Sequence, residues 1–118
     1  MKTCKKCGEP VVRKRRSVCD DCYNNCPKYK YSIYKRDARN RKYKWDLTRE
    51  EFTLLFNGQC HYCGQSPAQG VDRMDNDQGY TPNNAVSCCR KCNNMKSVYT
   101  KEELISQCKR ILEHNKDK

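Results

Sequence analysis

The chain of 118 residues is long enough for one small domain, and its composition leaves little apolar material for a core. Hydrophobic residues make up 36% of the sequence, but they include 11 cysteines and 8 tyrosines. Bound metal or disulfides are therefore expected to hold the fold together. The odd cysteine count and the lack of a long apolar run argue against a secreted disulfide framework and against a membrane span. Both favour metal-bound thiolates in a cytoplasmic protein.

Positive charge is concentrated in the first part of the chain. The formal net charge is +11, and residues 1–44 hold 15 Lys and Arg against 4 Asp and Glu, whereas residues 45–118 hold 10 of each. This excess indicates a polyanionic partner. Nucleic acid ranks ahead of an anionic membrane, because no amphipathic helix with a bulky apolar face is present. The second part of the chain must owe its function to particular residues.

The first predicted elements are loops and short strands over residues 1–26, where Gly8, Pro10 and paired cysteines interrupt any helical period. Residues 28–42 contain neither Gly nor Pro and carry apolar side chains at helical spacing. They are expected to form a basic helix.

Thr48 and Glu51 form a capping-box pattern, which predicts a helix over residues 48–57. Residues 70–88 mix β-branched residues with turn signals, which predicts a β-hairpin. A short helix is expected within residues 89–98.

The capping pattern recurs at Thr100 and Glu103, ahead of an apolar stripe. This stripe predicts a helix that ends near residue 114. Cys108 lies on the stripe and is therefore expected in the core.

Two Cys-x-x-Cys pairs, Cys4 with Cys7 and Cys19 with Cys22, lie 11 residues apart. Two residues between thiolates allow a tight turn to direct both sulfurs at one ion, and two such turns complete a closed tetrahedral zinc site. Such a site is structural, because it keeps no open position for a substrate. Cys26 is an alternative to Cys22 as the fourth ligand.

A second set consists of Cys60 with Cys63 and Cys89 with Cys92, separated by 25 residues. A zinc ion bound here would clamp the base of the inserted hairpin, so the insert is where function is expected. Cys88 leaves the register open, but the spacing to Cys92 favours Cys89 as the ligand.

Within and after this insert the sequence resembles the HNH endonucleases, also called ββα-metal or His-Me finger nucleases. The motifs that carry the resemblance run, in order, Cys-x-x-Cys, Asp72-Arg73, Gly79-Tyr80, Asn84, Cys-x-x-Cys-Asn93 and Lys96. The match covers about residues 46–98. It looks closest to an Asp-Arg branch found in phage HNH proteins and in a rare-cutting restriction endonuclease.

The resemblance implies a small α+β, zinc-stabilised ββα-metal fold with an N-terminal zinc knuckle and flanking helices. Residues 1–27 would form the knuckle, residues 28–45 the basic helix and its connection, and residues 46–118 the nuclease module with its C-terminal helix. The cofactors implied are two structural zinc ions and one catalytic Mg²⁺ or Mn²⁺.

Phosphodiester hydrolysis needs a hard cation, a deprotonated nucleophile and cationic groups that hold the backbone. By resemblance, Asp72 and Asn93 are the ligands of the divalent ion, and Asn84 fixes the loop that carries the general base. In the alternative interpretation Asp72 is a turn residue, and Asn84 and Asn93 are simple caps.

Most HNH enzymes carry Asp-His where this chain has Asp-Arg. Arg73 stays protonated and cannot act as a base, so its expected role is a bidentate phosphate clamp. The base would then be Tyr62, His61 or a metal-bound hydroxide. Tyr62 is preferred because it matches a tyrosine of the Asp-Arg branch.

The leading hypothesis is a metal-dependent endonuclease acting on double-stranded DNA in a bacterial or phage-infected cell. A strict two-strand cut would imply a homodimer, because one such site cuts one strand. The alternatives are a non-catalytic zinc-dependent nucleic-acid-binding protein and, more weakly, an RNA-binding protein. Phosphate contacts are expected from basic residues of the first knuckle, of the basic helix with its following segment, and of the motif's end. These are Arg13, Lys14, Arg15, Arg16, Lys35, Arg36, Arg39, Arg41, Lys42 and Lys96.

Overall fold

The structure is a computed structural model that describes residues 2–12 and 17–117. The predicted DNA contacts of residues 13–16 lie outside the described residues. The elements, in chain order, are helices α1 (Asp20–Asn24), α2 (Pro27–Asn40) and α3 (Arg49–Phe56), strands β1 (Val71–Arg73) and β2 (Ala85–Ser87), and helices α4 (Arg90–Lys96) and α5 (Lys101–Asn115).

Both capping boxes are confirmed. The Thr48 hydroxyl accepts a hydrogen bond from the Glu51 backbone N–H at 3.1 Å, and the Glu51 carboxylate accepts one from the Thr48 N–H at 2.9 Å. Thr100 and Glu103 make the same reciprocal pair at the start of α5. Each box satisfies two N–H groups that a helix start leaves without an intrahelical partner.

Helix α1 was not predicted. The sequence predicts loops and short strands over residues 1–26; in the described part of that range, strand-like pairing is one isolated bridge between Thr3 and Pro10. Helix α1 begins directly after Cys19 and carries Cys22 in its single turn. Five residues are too few to show a helical period in a sequence.

The main core lies where α2 and α3 pack on the hairpin. Strands β1 and β2 are antiparallel, with Asp72 opposite Val86, and α3 contacts both strands. The core is aromatic, which compensates for the few aliphatic residues. Its buried members are Tyr31, Leu47, Phe52, Phe56, Val71 and Ala85, with Tyr34, Trp45, Leu55 and Tyr80 packed against them.

Helix α5 packs on α4, yet none of its residues is buried. The prediction that Cys108 belongs to the core is wrong, because its side chain is exposed. Among the described residues, no helix combines the length and apolar character that crossing a bilayer requires.

Candidate metal centres and active-site cleft

The first cysteine cluster brings together Cys4, Cys7, Cys19 and Cys22, whose sulfur atoms all lie within 4.8 Å of one another. The sulfurs of Cys7 and Cys19 are 3.5 Å apart. A tetrahedron with Zn–S bonds of about 2.3 Å has edges of roughly 3.8 Å, so the donor set fits zinc. Cys26 lies outside this cluster and instead contacts the Lys6 ammonium at 3.3 Å.

The second cluster contains Cys60, Cys63, Cys89 and Cys92, again within 4.8 Å, with 3.7 Å between the sulfurs of Cys63 and Cys89. Burial alone would raise the pKa of the Cys60 thiol, but N–H groups of the surrounding backbone outweigh it and lower that pKa to about 6. Cys88 is buried outside the cluster, and its thiol donates to the Cys89 carbonyl at 3.4 Å.

The second Cys-x-x-Cys pair has the same local structure in both clusters. The first cysteine of that pair immediately precedes a helix, and its sulfur accepts a hydrogen bond from the backbone N–H of the second. The bond runs from Cys22 to Cys19 at 3.5 Å and from Cys92 to Cys89 at 3.4 Å. The second cluster thereby joins the loop before the hairpin to the start of α4.

A cleft of about 540 Å³ lies between α2, β1 and α4. Asp72, Arg73 and Asn93 all line it. Asp72 and Asn93 are 21 positions apart in the chain. They come together because the second cysteine cluster joins the hairpin to α4. His61 is exposed beside Lys101, with 3.3 Å between its Nε2 and the Lys101 ammonium.

Asp72 is buried, and its Oδ2 has two partners. It accepts a hydrogen bond of 2.7 Å from the Tyr62 hydroxyl and forms an ion pair of 3.2 Å with the Lys96 ammonium. Burial, followed by the hydrogen bond and negative charge of Asp72, raises the pKa of Tyr62. In this arrangement the phenol is a proton donor to the carboxylate.

Lys96 occupies a different place from the one expected. The sequence predicts it as a DNA contact, but its side chain is completely buried under the hairpin. Besides Asp72 its ammonium lies 3.3 Å from the Arg73 carbonyl and 3.5 Å from the Asn76 side-chain oxygen. The ammonium therefore faces the inside of the site, where no DNA phosphate reaches it in this conformation.

Arg73 is held on an aromatic surface. Its guanidinium carbon lies 3.7 Å from the ring centre of Tyr43 and 5.6 Å from that of Tyr80. Nη1 donates to the backbone carbonyls of Asn76 at 2.6 Å and Gln78 at 3.0 Å. Stacking and these bonds fix the plane of the guanidinium at the cleft wall.

Asn84 is buried beneath the loop that connects the two strands. Its Oδ1 accepts from the Asp75 N–H at 2.8 Å, and its Nδ2 donates to the carbonyls of Asp75 at 3.0 Å and Gly79 at 2.9 Å. One side chain thus satisfies three backbone groups of the loop.

The wall of the cleft opposite the hairpin belongs to α2 and the segment that follows it. Lys30 and Arg41 line the cleft from this side. The remaining predicted phosphate contacts of this region, Lys35, Arg36, Arg39 and Lys42, are exposed. Sequence reasoning missed Tyr43, whose role depends on a contact with Arg73 that no local pattern signals.

A two-stranded hairpin followed by a helix, with four cysteines gathered at its base, is the arrangement of the ββα-metal or HNH fold, as the sequence predicted. The solved structure of the rare-cutting HNH restriction endonuclease PacI superposes with a TM-score of 0.58, covering 97% of this chain and 95% of that one. The two sequences are 24% identical. This likeness establishes the fold, including the N-terminal knuckle.

Sequence comparison gives one curated relative, an uncharacterized protein of Acanthamoeba polyphaga mimivirus. The two are 35% identical over 97 residues, a stretch that is 80% of this chain and 18% of the viral protein. The chain thus spans about a fifth of that relative's length. No family model matches the sequence.

Proposed function

We propose that the protein is a metal-dependent endonuclease that hydrolyses phosphodiester bonds of double-stranded DNA. The observation that carries this proposal is the cleft in which Asp72, Asn93 and the stacked guanidinium of Arg73 meet. The likeness to an HNH restriction endonuclease over nearly the whole chain supports it. So does the basic helix α2, which forms the opposite wall.

A carboxylate and an amide oxygen in one cleft are the hard donors that Mg²⁺ and Mn²⁺ accept, so Asp72 and Asn93 would hold the catalytic ion. Such an ion supplies charge neutralisation on the phosphate and activation of water. The two four-cysteine clusters would hold structural zinc, since each sulfur set is closed.

The chain's own residues have separable roles around this centre. Arg73 binds a phosphate oxygen through N–H groups other than Nη1, which donates to the carbonyls of Asn76 and Gln78. Asn84 keeps the connecting loop closed. Tyr62 and Lys96 orient the Asp72 carboxylate by their contacts with Oδ2. His61 lies on the exposed side of Tyr62.

The basic residues of α2 and its following segment would bind flanking phosphates. Lys35, Arg36, Arg39, Arg41 and Lys42 are exposed on or just after one helix. Contacts of this kind give affinity and salt dependence without reading sequence.

A second candidate is a DNA-binding protein that has kept the scaffold without the reaction. The ion pair between Asp72 and the buried Lys96 favours it, because that carboxylate already has a cationic partner. Arg73 in place of the usual histidine points the same way.

The comparison of Asp72→Ala with Asp77→Ala separates these candidates. Asp72 is buried in the cleft, whereas Asp77 is exposed on the loop, and both changes remove one negative charge. Asp72→Ala is expected to be less stable than the wild type, because the buried Lys96 loses its partner. At a temperature where it stays folded and keeps its zinc, we expect it to bind DNA but not to nick a plasmid with Mg²⁺, whereas Asp77→Ala should cut like the wild type. Equal cutting by both variants would place the reaction elsewhere.

A further inference from the structure

Helix α5 exposes most of an apolar stripe, in which Leu104 alone is partly covered by the rest of the described chain. The helix has 15 residues and a complete capping box at its start, yet none of its residues is buried. Ile105, Ile111 and Leu112 expose 41%, 52% and 71% of their surface. A helix this short gains most of its stability by packing an apolar face, so this stripe is suited to a partner.

The stripe forms one wall of an open apolar groove of about 410 Å³. Leu104, Cys108 and Leu112 line the groove from α5, while Tyr62 and Met95 line it from the other side. A second amphipathic helix fits such a groove, because its apolar face would contact both walls.

The order of residues along the stripe is symmetric about Cys108. Ile105 and Ile111 lie three positions away on either side, and Leu104 and Leu112 lie four positions away. In an antiparallel pair related by a two-fold axis at Cys108, Leu would face Leu and Ile would face Ile. The stripe is thus complementary to a second copy of itself.

Charge favours the same antiparallel arrangement. Before Cys108 the helix carries Lys101, Glu102 and Glu103, and after it Lys109, Arg110 and Glu113, so the halves have net charges of −1 and +1. Antiparallel pairing sets each acidic half against a basic half, and it also opposes the two helix dipoles. Parallel pairing would place the two acidic halves together and the two basic halves together.

We propose that α5 is a self-association surface through which two copies of this chain pair antiparallel, with the two-fold axis at Cys108. Each α5 lies in the groove of the other copy, so the contact closes on itself and stops at the dimer. The dimer therefore contains two of the clefts lined by Asp72 and Asn93, one in each copy. The inference goes beyond the proposed nuclease activity and does not depend on it, because the pairing requires neither DNA nor cleavage.

The first test compares Leu112→Glu with Leu54→Glu in the zinc-loaded full chain, by sedimentation velocity over a range of concentrations. Leu54 lies on α3 and exposes 75% of its surface, close to the 71% of Leu112, so the two variants are matched in residue type and exposure. We expect the wild type and Leu54→Glu to form dimers, with the dissociation constant of Leu112→Glu raised at least about tenfold. A wild type that stays monomeric, grows beyond dimers, or responds equally to both variants would overturn the proposal.

The second test fixes the orientation with a short bis-maleimide cross-linker. Lys101→Cys and Asn115→Cys are each made in a Cys108→Ser background, which serves as the control for reaction at other cysteines. These positions lie seven residues on either side of Cys108. Antiparallel pairing predicts cross-linked dimers only when the two variants are mixed. Cross-links within each variant alone would establish parallel pairing and contradict the proposal.

Discussion

Asp72 depends on two neighbours that the sequence pattern does not reveal. The motif places it beside Arg73, but in the structure its Oδ2 contacts the Tyr62 hydroxyl and the Lys96 ammonium. The sequence predicts Lys96 as a phosphate contact at the end of the motif, but its side chain is buried because α4 lies under the hairpin. Long-range contacts of this kind have no local signature in sequence.

Lys96→Met is expected to destabilise the fold strongly. The substitution leaves the buried Asp72 carboxylate without its cation, which costs about 3–5 kcal/mol when one partner of a buried pair is removed. Urea unfolding of the zinc-loaded protein measures the change, with the exposed Lys91→Met on the same helix as control. The double variant with Asp72→Asn should recover part of the loss. A loss below about 1 kcal/mol would show that the pair contributes little.

Tyr62→Phe separates positioning from proton transfer. If Tyr62 only orients Asp72, losing one hydrogen bond to a charged group should slow cleavage about tenfold and weaken Mn²⁺ binding, with zinc content unchanged. A fall of roughly 10²-fold or more with Mn²⁺ affinity intact would instead support the general base preferred from the sequence. His61→Ala, at an exposed neighbour, should cut at the wild-type rate.

The sequence predicts those helices and clusters that depend on short local patterns. The helices after Thr48 and Thr100 and both cysteine clusters follow from short spacings, and all are present. The three-residue strands and five-residue α1 are too short to carry a period, so only the hairpin's approximate place was predictable. The sequence predicts the apolar stripe of α5, but it wrongly places Cys108 in a core. Burial depends on tertiary or quaternary contacts, which a local pattern does not contain.

The two cysteine clusters are expected to bind zinc, and this gives a prediction about the folding of whole elements. Native protein purified without chelator should contain two zinc ions per chain, and their removal should unfold most of the structure, since thiolate sites fold together with their metal. Cys22→Ser should lose one ion, whereas Cys26→Ser, outside the cluster, should keep both. Elemental analysis and circular dichroism provide the readouts. Retention of two ions by Cys22→Ser would mean that Cys26 can replace it.

The whole molecule is less spherical than a compact chain of its length. Its radius of gyration is 16.8 Å, against about 13.5 Å for a compact domain of this size, and its extents are 51 × 39 × 22 Å. Small modules gathered around the two cysteine clusters, together with a helix that buries no residue, explain the difference. Exposed basic residues lie on α2 and the segment after it, on one side of the cleft, and Asp72, Arg73 and Asn93 lie on the other side.

We propose above that the cleft lined by Asp72 and Asn93 cuts DNA with the help of a divalent ion. A time course of supercoiled plasmid with the zinc-loaded wild type, with and without Mg²⁺ or Mn²⁺, tests it most directly. We expect nicked and then linear DNA only when the ion is present, and no cutting by Asp72→Ala under the same conditions. Tight DNA binding with no cutting in either ion would contradict the claim and identify the protein as a binding module on a nuclease fold.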